Sequence, residues 1–309
     1  MRILTLILLS FSTLVFAQAP KEDFKVLSHK GANTVNNKPL ATGTKLFSSD
    51  QITVSVGGYI GLLHKSGKTL ELRQPGNYTV AEISQKVGST NTSASKRYSD
   101  YVVKELTKGD KEAVNKNYMA HLTVTGSVER GSEDVQLFIP NPAAVSSLNL
   151  IGNSLKINWK KVADNKLYVV KIMNNFDEII FSKETNDTNF TIFIDQLPLN
   201  NETSFICEVS LKDKSKNPSV RRQIKLIKNE KLKELSEEIT EINNNLVEDN
   251  AINNFMKANF YKEKGLFMEA AECYQKAIHS DPEVTDYVES YDALLEANGL
   301  QNYKMNKKK

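Results

Sequence analysis

Cysteine is nearly absent: Cys207 and Cys273 are the only two in 309 residues. They cannot form a disulfide framework, and neither sits in a Cys-x-x-Cys pair suited to a metal or to thiol exchange. Histidine is almost as scarce. His29, His64, His121 and His279 stand far apart, with no His-x-x-x-His spacing for zinc. No Gly-x-Ser-x-Gly elbow, phosphate-binding glycine loop or aspartate-rich calcium loop occurs. The chain therefore offers no catalytic residue, no cofactor-binding residue and no metal ligand, and the expectation is a protein that is not an enzyme. The formal net charge is only +3, and much of the surplus sits in Lys304, Lys307, Lys308 and Lys309. A strongly basic surface is excluded, so no nucleic-acid partner is expected.

Long apolar runs are lacking too, with one exception. Arg2, the apolar stretch Ile3 to Phe16, and the small residues Val15 and Ala17 have the layout of a secretory signal peptide, residues 1–17, cleaved before Gln18. The stretch is shorter than the ~20 residues that a membrane-spanning helix needs. No later segment is apolar enough to span. The expectation is an exported chain without a transmembrane segment once the leader is removed. Its richness in Asn and Lys suits a bacterial periplasm or cell envelope.

What is present is ordinary globular material, 40% hydrophobic and 25% charged. Its length suggests two or three domains. Residues 20–131 form the first, a small β-rich domain with one short helix. Phe24-Lys-Val26-Leu27 and Gln51-Ile52-Thr-Val54-Ser-Val56 alternate apolar and polar residues, as half-buried strands do. Tyr59 to His64, Thr69 to Arg73 and Tyr78 to Val80 add further strands, with turns at Lys65-Ser66-Gly67-Lys68 and Pro75-Gly76-Asn77. A loop follows from Val87 to Ala94. Tyr98, Tyr101, Val102 and Leu106 then recur at helical spacing, and Leu122-Thr-Val124 allows one more strand. The order of Gly31, Leu40-x-x-Gly43, Ile52, the Tyr59–Leu63 run, Gly67 and Leu72…Gly76-x-Tyr78 resembles the β-domain of FecR-type envelope proteins. That resemblance implies an extracytoplasmic module. The chain lacks the transmembrane and cytosolic parts of FecR-type sensors, so their signalling role does not follow.

A second domain, 135–228, carries seven short strands, beginning with a Pro-interrupted edge strand at Val135–Ile139. Leu155, Ile157 and Trp159 lie on one face of Ser154–Trp159, and Phe205 opens a later strand, Phe205-x-Cys207-x-Val209. Seven short strands with turns between them suit a β-sandwich of the immunoglobulin kind. The L-x-I-x-W strand and the Leu197-Pro198…Phe205 corner resemble a fibronectin type III domain. Phe205 stands where that family usually has Tyr, so the corner hydroxyl is missing. Leu155, Ile157, Trp159 and Phe205 are the expected sandwich core. Cys207 and Cys273 fall in different domains, so no bridge between them is expected.

From Asn229 the composition turns to Glu, Lys, Leu and Ala at helical period. Helices are expected over 231–246, 251–264, 267–280 and 284–297, followed by a basic disordered tail, 301–309. Within 229–300, Ala258 and Tyr261 face inward on one helix and Gly265 makes the turn. Phe267 opens the next helix, where small Ala270 and Ala277 allow close approach. Tyr274 fills the space toward the following helix, and Pro282 ends the second one. Gly265 to Pro282 resembles the second half of a tetratricopeptide repeat. The first helix departs from that pattern at Asn254 and Lys257. Repeats of this kind bury their apolar face only against neighbours, so the flanking helices are expected to cap this one. The overall expectation is a multidomain chain, mainly β then α, in which a small β-domain and an immunoglobulin/fibronectin III-like sandwich precede a C-terminal helical array. Such an array implies a protein or peptide partner, self-association, or packing back on the sandwich. The rival reading is a glycan- or peptidoglycan-binding module that uses exposed aromatics such as Tyr59 and Tyr78.

Overall fold

The alternating N-terminal segments fold as two four-stranded sheets that share one core. Strands β1 (Glu22–Lys30), β4 (Lys45–Phe47), β6 (Tyr59–His64) and β7 (Thr69–Leu72) form one sheet in the order β4-β1-β6-β7. Strands β2 (Thr34–Val35), β3 (Lys38–Pro39), β5 (Gln51–Val54) and β8 (Gly76–Thr79) form the other, in the order β3-β2-β5-β8. Phe24, Val26, Leu46, Ile60 and Leu62 of the first sheet meet Ile52 and Val54 of the second. These relations come from a computed structural model that describes residues 22–87, 135–139, 147–162, 166–214, 219 and 221–304. The leader at 1–17, the stretch 88–131 with its expected loop, helix and strand, and the lysines at 307–309 lie outside the described residues.

Every residue of β6 is buried. A strand covered on one side would alternate, so its near-continuous apolar run means that both faces of its sheet are covered. Val80, read as the end of a strand, instead starts helix α1 (Val80–Val87) and is buried with Ile83 against the two sheets. The cause is local: Thr79 Oγ1 accepts from the Glu82 backbone N–H at 3.4 Å, a helix cap in a Thr-x-x-Glu sequence.

His64 closes the β6–β7 hairpin. Its Nδ1 accepts from the Ser66 N–H at 3.2 Å, which puts the ring proton on Nε2, donating to Ser84 Oγ at 3.0 Å. Burial first, and the Lys65 charge second, hold this imidazole below its usual range. The unfolded chain takes up the proton at about pH 6.5 while the folded chain resists it. Stability is therefore expected to be complete above that pH and to fall as the pH drops below it. Melting temperature measured against pH should show this slope, and His64→Gln should flatten it. Asp23 acts in a separate, more acidic window. Burial raises its pKa, but hydrogen bonds from Lys65 and Ser48 and the Lys65 charge outweigh that and hold it low. Its contribution is lost only below about pH 3.9.

The second block has seven strands among its described residues. β9 (Ser147–Leu150), β11 (Tyr168–Met173), β12 (Ile179–Thr185), β14 (Ser204–Leu211) and β15 (Arg222–Leu226) form a five-stranded sheet ordered β12-β11-β14-β15-β9, with β9 parallel to β15. β10 (Ser154–Asn158) and β13 (Asn189–Phe193) pair separately. Leu155, Ile157, Trp159 and Phe205 are all buried between them, and Trp159 meets the Tyr168 ring edge-on at 5.4 Å. The expected strand at Val135–Ile139 is reduced to one bridge, Leu137 to Trp159, although Val135, Leu137 and Ile139 are buried. Pro140 and Pro142, which follow it, cannot donate to a ladder. Cys207 and Cys273 are free thiols, both buried.

Four helices complete the chain: α2 (Asn229–Asn245), α3 (Ala251–Glu263), α4 (Phe267–Ser280) and α5 (Thr285–Ala297). Residues 301–304, expected to begin a solvated tail, instead make a 3-10 turn. There the Tyr303 hydroxyl donates to the Gln136 carbonyl at 2.5 Å, and its ring meets Phe138 edge-on. No helix among the described residues is long and apolar enough to cross a membrane.

Candidate functional site

The α3–α4 hairpin closes on small side chains. Ala258, Ala270 and Ala277 are fully buried, so the two backbones approach without an intervening branch, and Phe267 is buried beside them. Gly265 makes the turn in the left-handed region at φ +70°, where a side chain would strain the backbone. Tyr274 is fully buried. Its ring meets Phe255 of α3 edge-on at 5.9 Å and lies 6.3 Å from Tyr291 of α5. Its hydroxyl donates to Asn259 Oδ1 at 3.0 Å, and the Asn259 amide in turn donates to the Phe255 carbonyl. Tyr261 is only half-buried at the margin, and Pro282 is exposed between α4 and α5. On the other flank, Ile242 of α2 and Leu246, which caps that helix, pack with Ile252, Met256 and Phe260 of α3.

Helix α3 is buried almost all the way round: Ala251 to Met256 and Ala258 to Phe260 have little or no exposure. Its asparagines are covered because they are satisfied. Asn254 donates to Asp249 Oδ1 and the Asn250 carbonyl, and Asn253 donates to the Glu248 carbonyl. A helix enclosed in this way presents no free concave face.

The first β-unit supplies the missing cover. Tyr287 of α5 shares hydrogen bonds with Tyr59 (2.8 Å) and Ser28 (3.2 Å). Glu71 Oε1 accepts from the Tyr59 hydroxyl at 3.3 Å and from the Ile252 N–H at 3.2 Å. Arg73 grips Asp281 with two nitrogens at 2.9 and 2.6 Å and also holds Glu71, while its guanidinium lies 4.7 Å over the Tyr59 ring. Thr69 donates to Asn253, Lys30 pairs with Glu283, and Thr42 donates to Asp286. Burial, then the neighbouring Tyr287 and Glu71, push the Tyr59 phenol far above its ordinary range, so it stays neutral. Gly61 lets the helix seat, since a Cβ there would fall 2.5 Å from Ile252 Cδ1.

Tyr59 was the leading candidate for an exposed sugar-stacking ring. Its exposure is 3%, so it cannot serve as one. Tyr78 is half-buried, with its hydroxyl donating to the Gln74 carbonyl. On the side of the second β-block Phe138 packs on Phe267 at 5.8 Å, and one apolar core runs from that block through the helices to Tyr59.

The β11–β12 turn differs from this enclosed interior. Phe176 is 80% exposed at its tip, and Ile179 is 58% exposed three residues on. The turn is heavily braced. Asn174 Oδ1 accepts from the N–H groups of Phe176 and Glu178, and Asn175 donates twice to Glu202. Arg221 donates to Asp177, which sits in the left-handed region at φ +65°. Among the described residues no group of His, Cys, Asp and Glu could hold a metal ion.

No protein family model matches the chain, and no curated protein matches it.

Sequence periodicity placed Tyr274 and Tyr287 on inward stripes but did not find their polar partners. Ser28, Tyr59, Glu71 and Arg73 meet α3, α5 and Asp281 across more than 180 residues of chain. The available signals were the near-continuous apolar run of β6 and the asparagines of α3, both of which demand cover.

Proposed function

We propose that this chain is a non-enzymatic, exported envelope protein that acts as a scaffold through protein–protein contacts. In this reading α3 and α4 are a single tetratricopeptide-like unit capped by α2 and α5. The seven-strand block is an immunoglobulin/fibronectin III-like sandwich, in keeping with its five-plus-two strand arrangement. The first β-unit is the FecR-like module. The helices act as an internal clamp between the two β-units, and the contact surface lies elsewhere. The observation that carries this reading is the Phe176 tip. Single exposed apolar residues are common and mean little. An aromatic held out on a turn with this many hydrogen bonds has already met the ordering cost of binding, and such rigid aromatics make effective anchors.

The test is a photo-crosslinking side chain at Ile179 of the full chain in living cells. One or a few protein adducts are expected, and Phe176→Asp should abolish them. The rival glycan reading predicts no protein adducts and co-sedimentation with purified cell wall that Phe176→Asp leaves unchanged. That pair of results would overturn the scaffold.

A further inference from the structure

Strand β7 ends its sheet, with no strand beyond it among the described residues. A cavity of about 430 Å³ runs along it, lined by six consecutive residues from Thr69 to Gln74, with Tyr78 on one side and Glu248 and Asn250 on the other. Four of these residues, Thr69 to Leu72, make up β7, and because their side chains alternate between faces, a hollow that touches all four lies against the backbone.

The direction of that backbone follows from the hairpin. The His64 N–H donates to the Lys68 carbonyl at 2.8 Å, so residues 64 and 68 form a hydrogen-bonded pair. Strict alternation along the antiparallel register then points the amides of Leu70 and Leu72 toward β6. The N–H and C=O groups of Thr69 and Glu71 point the other way, into the slot. Their side chains are already used, Thr69 on Asn253 and Glu71 on Arg73, Tyr59 and the Ile252 N–H. Side-chain rearrangement therefore cannot fill the edge.

The slot is also acidic. Among the described residues Arg73 is its only lining cation, against Glu71 and Glu248, and Asp281 from outside takes the far edge of that guanidinium. Glu248 is exposed, its carboxylate accepts from Asn250 Nδ2, and it has no ion pair among the described residues.

We propose that the β7 edge is a second binding site, distinct from the Phe176 tip, for an extended segment of a partner polypeptide carrying a lysine or arginine. The segment adds as a fifth strand, exchanging ladder hydrogen bonds with Thr69 and Glu71. Tyr78 lies along one side of the segment, and its basic side chain reaches Glu248. The volume suits a stretch of about three or four residues, the lower part of the range for ligand cavities.

The experiment uses the full mature chain and two acetylated, amidated pentapeptides, Thr-Val-Lys-Val-Thr and Thr-Val-Glu-Val-Thr. Amide hydrogen exchange and a fluorescence titration are the readouts. The Thr69 and Glu71 amides should exchange fast in the free protein and slow at least about tenfold with the lysine peptide. The glutamate peptide should bind several-fold more weakly, and Glu248→Lys, a surface change, should reverse the preference. Three results would each overturn the proposal: slow exchange of both amides before any peptide is added, equal binding of the two peptides, or chitotetraose displacing the peptide while both amides stay fast. The last would assign the slot to sugar.

Discussion

Replacing Tyr274 with alanine is expected to lower the unfolding free energy by about 3–5 kcal/mol. The side chain is fully buried at the meeting point of α3, α4 and α5, and its removal leaves Phe255 and Tyr291 facing a void. Urea denaturation followed by far-UV circular dichroism measures the loss. Tyr274→Phe separates the two contributions, since the ring stays while Asn259 Oδ1 loses its only hydroxyl donor. That variant should cost about 1–3 kcal/mol, the penalty for a buried acceptor left unmade. An alanine variant within about 1 kcal/mol of wild type would mean that the three helices do not pack around this ring.

Tyr287→Ala should cost as much, about 3–5 kcal/mol, but through a different seam. Its ring packs 4.8 Å from Phe255, and its hydroxyl reaches Tyr59 and Ser28 of the β-unit. The alanine variant should therefore loosen the contact between the helices and the first sheet. Amides of β6 should exchange faster, whereas those of β11 and β14 inside the five-stranded sheet should be unchanged. Tyr287→Phe keeps the ring and should cost about 1–3 kcal/mol, because Tyr59 and Ser28 lose a shared partner. Equal acceleration of exchange in β6 and β14 would show that the seam has no independent existence.

The sequence was most legible where one element carries its own pattern. Strand alternation around Ile52 and Val54, the L-x-I-x-W strand, and the alanines of α4 each encode burial in a local period. It was least legible where a local period met a distant surface. Asn254 and Lys257 read as departures from a repeat pattern. In the fold Asn254 closes a set of hydrogen bonds in a helix wrapped on nearly all sides. Tyr59 read as an exposed ring because strand alternation alone does not say which sheet face is covered. The covering helix lies more than 190 residues away, and no single-sequence signal spans that distance. α1 was the recoverable miss, since the Thr79-x-x-Glu82 cap was visible in the letters. The braced turn at Phe176 was half-visible: Asn174-Asn175 and Asp177 mark a turn, but the partners Glu202 and Arg221 come from other strands.

The Ser28–Tyr287 contact joins positions 259 residues apart. A polypeptide emerging from its N-terminus makes the first sheet early, yet the helices that dry its outer side, at 229–297, follow only much later in the chain. Until then Leu27 and Leu63 face water, inviting contact with anything apolar nearby. Closure across so long a stretch is also slow, since loop entropy is lost before any reward is gained. Completion of the first β-unit should therefore wait for the helices at 229–297, and truncation near residue 280, which removes Tyr287, should leave a sticky, unfinished product.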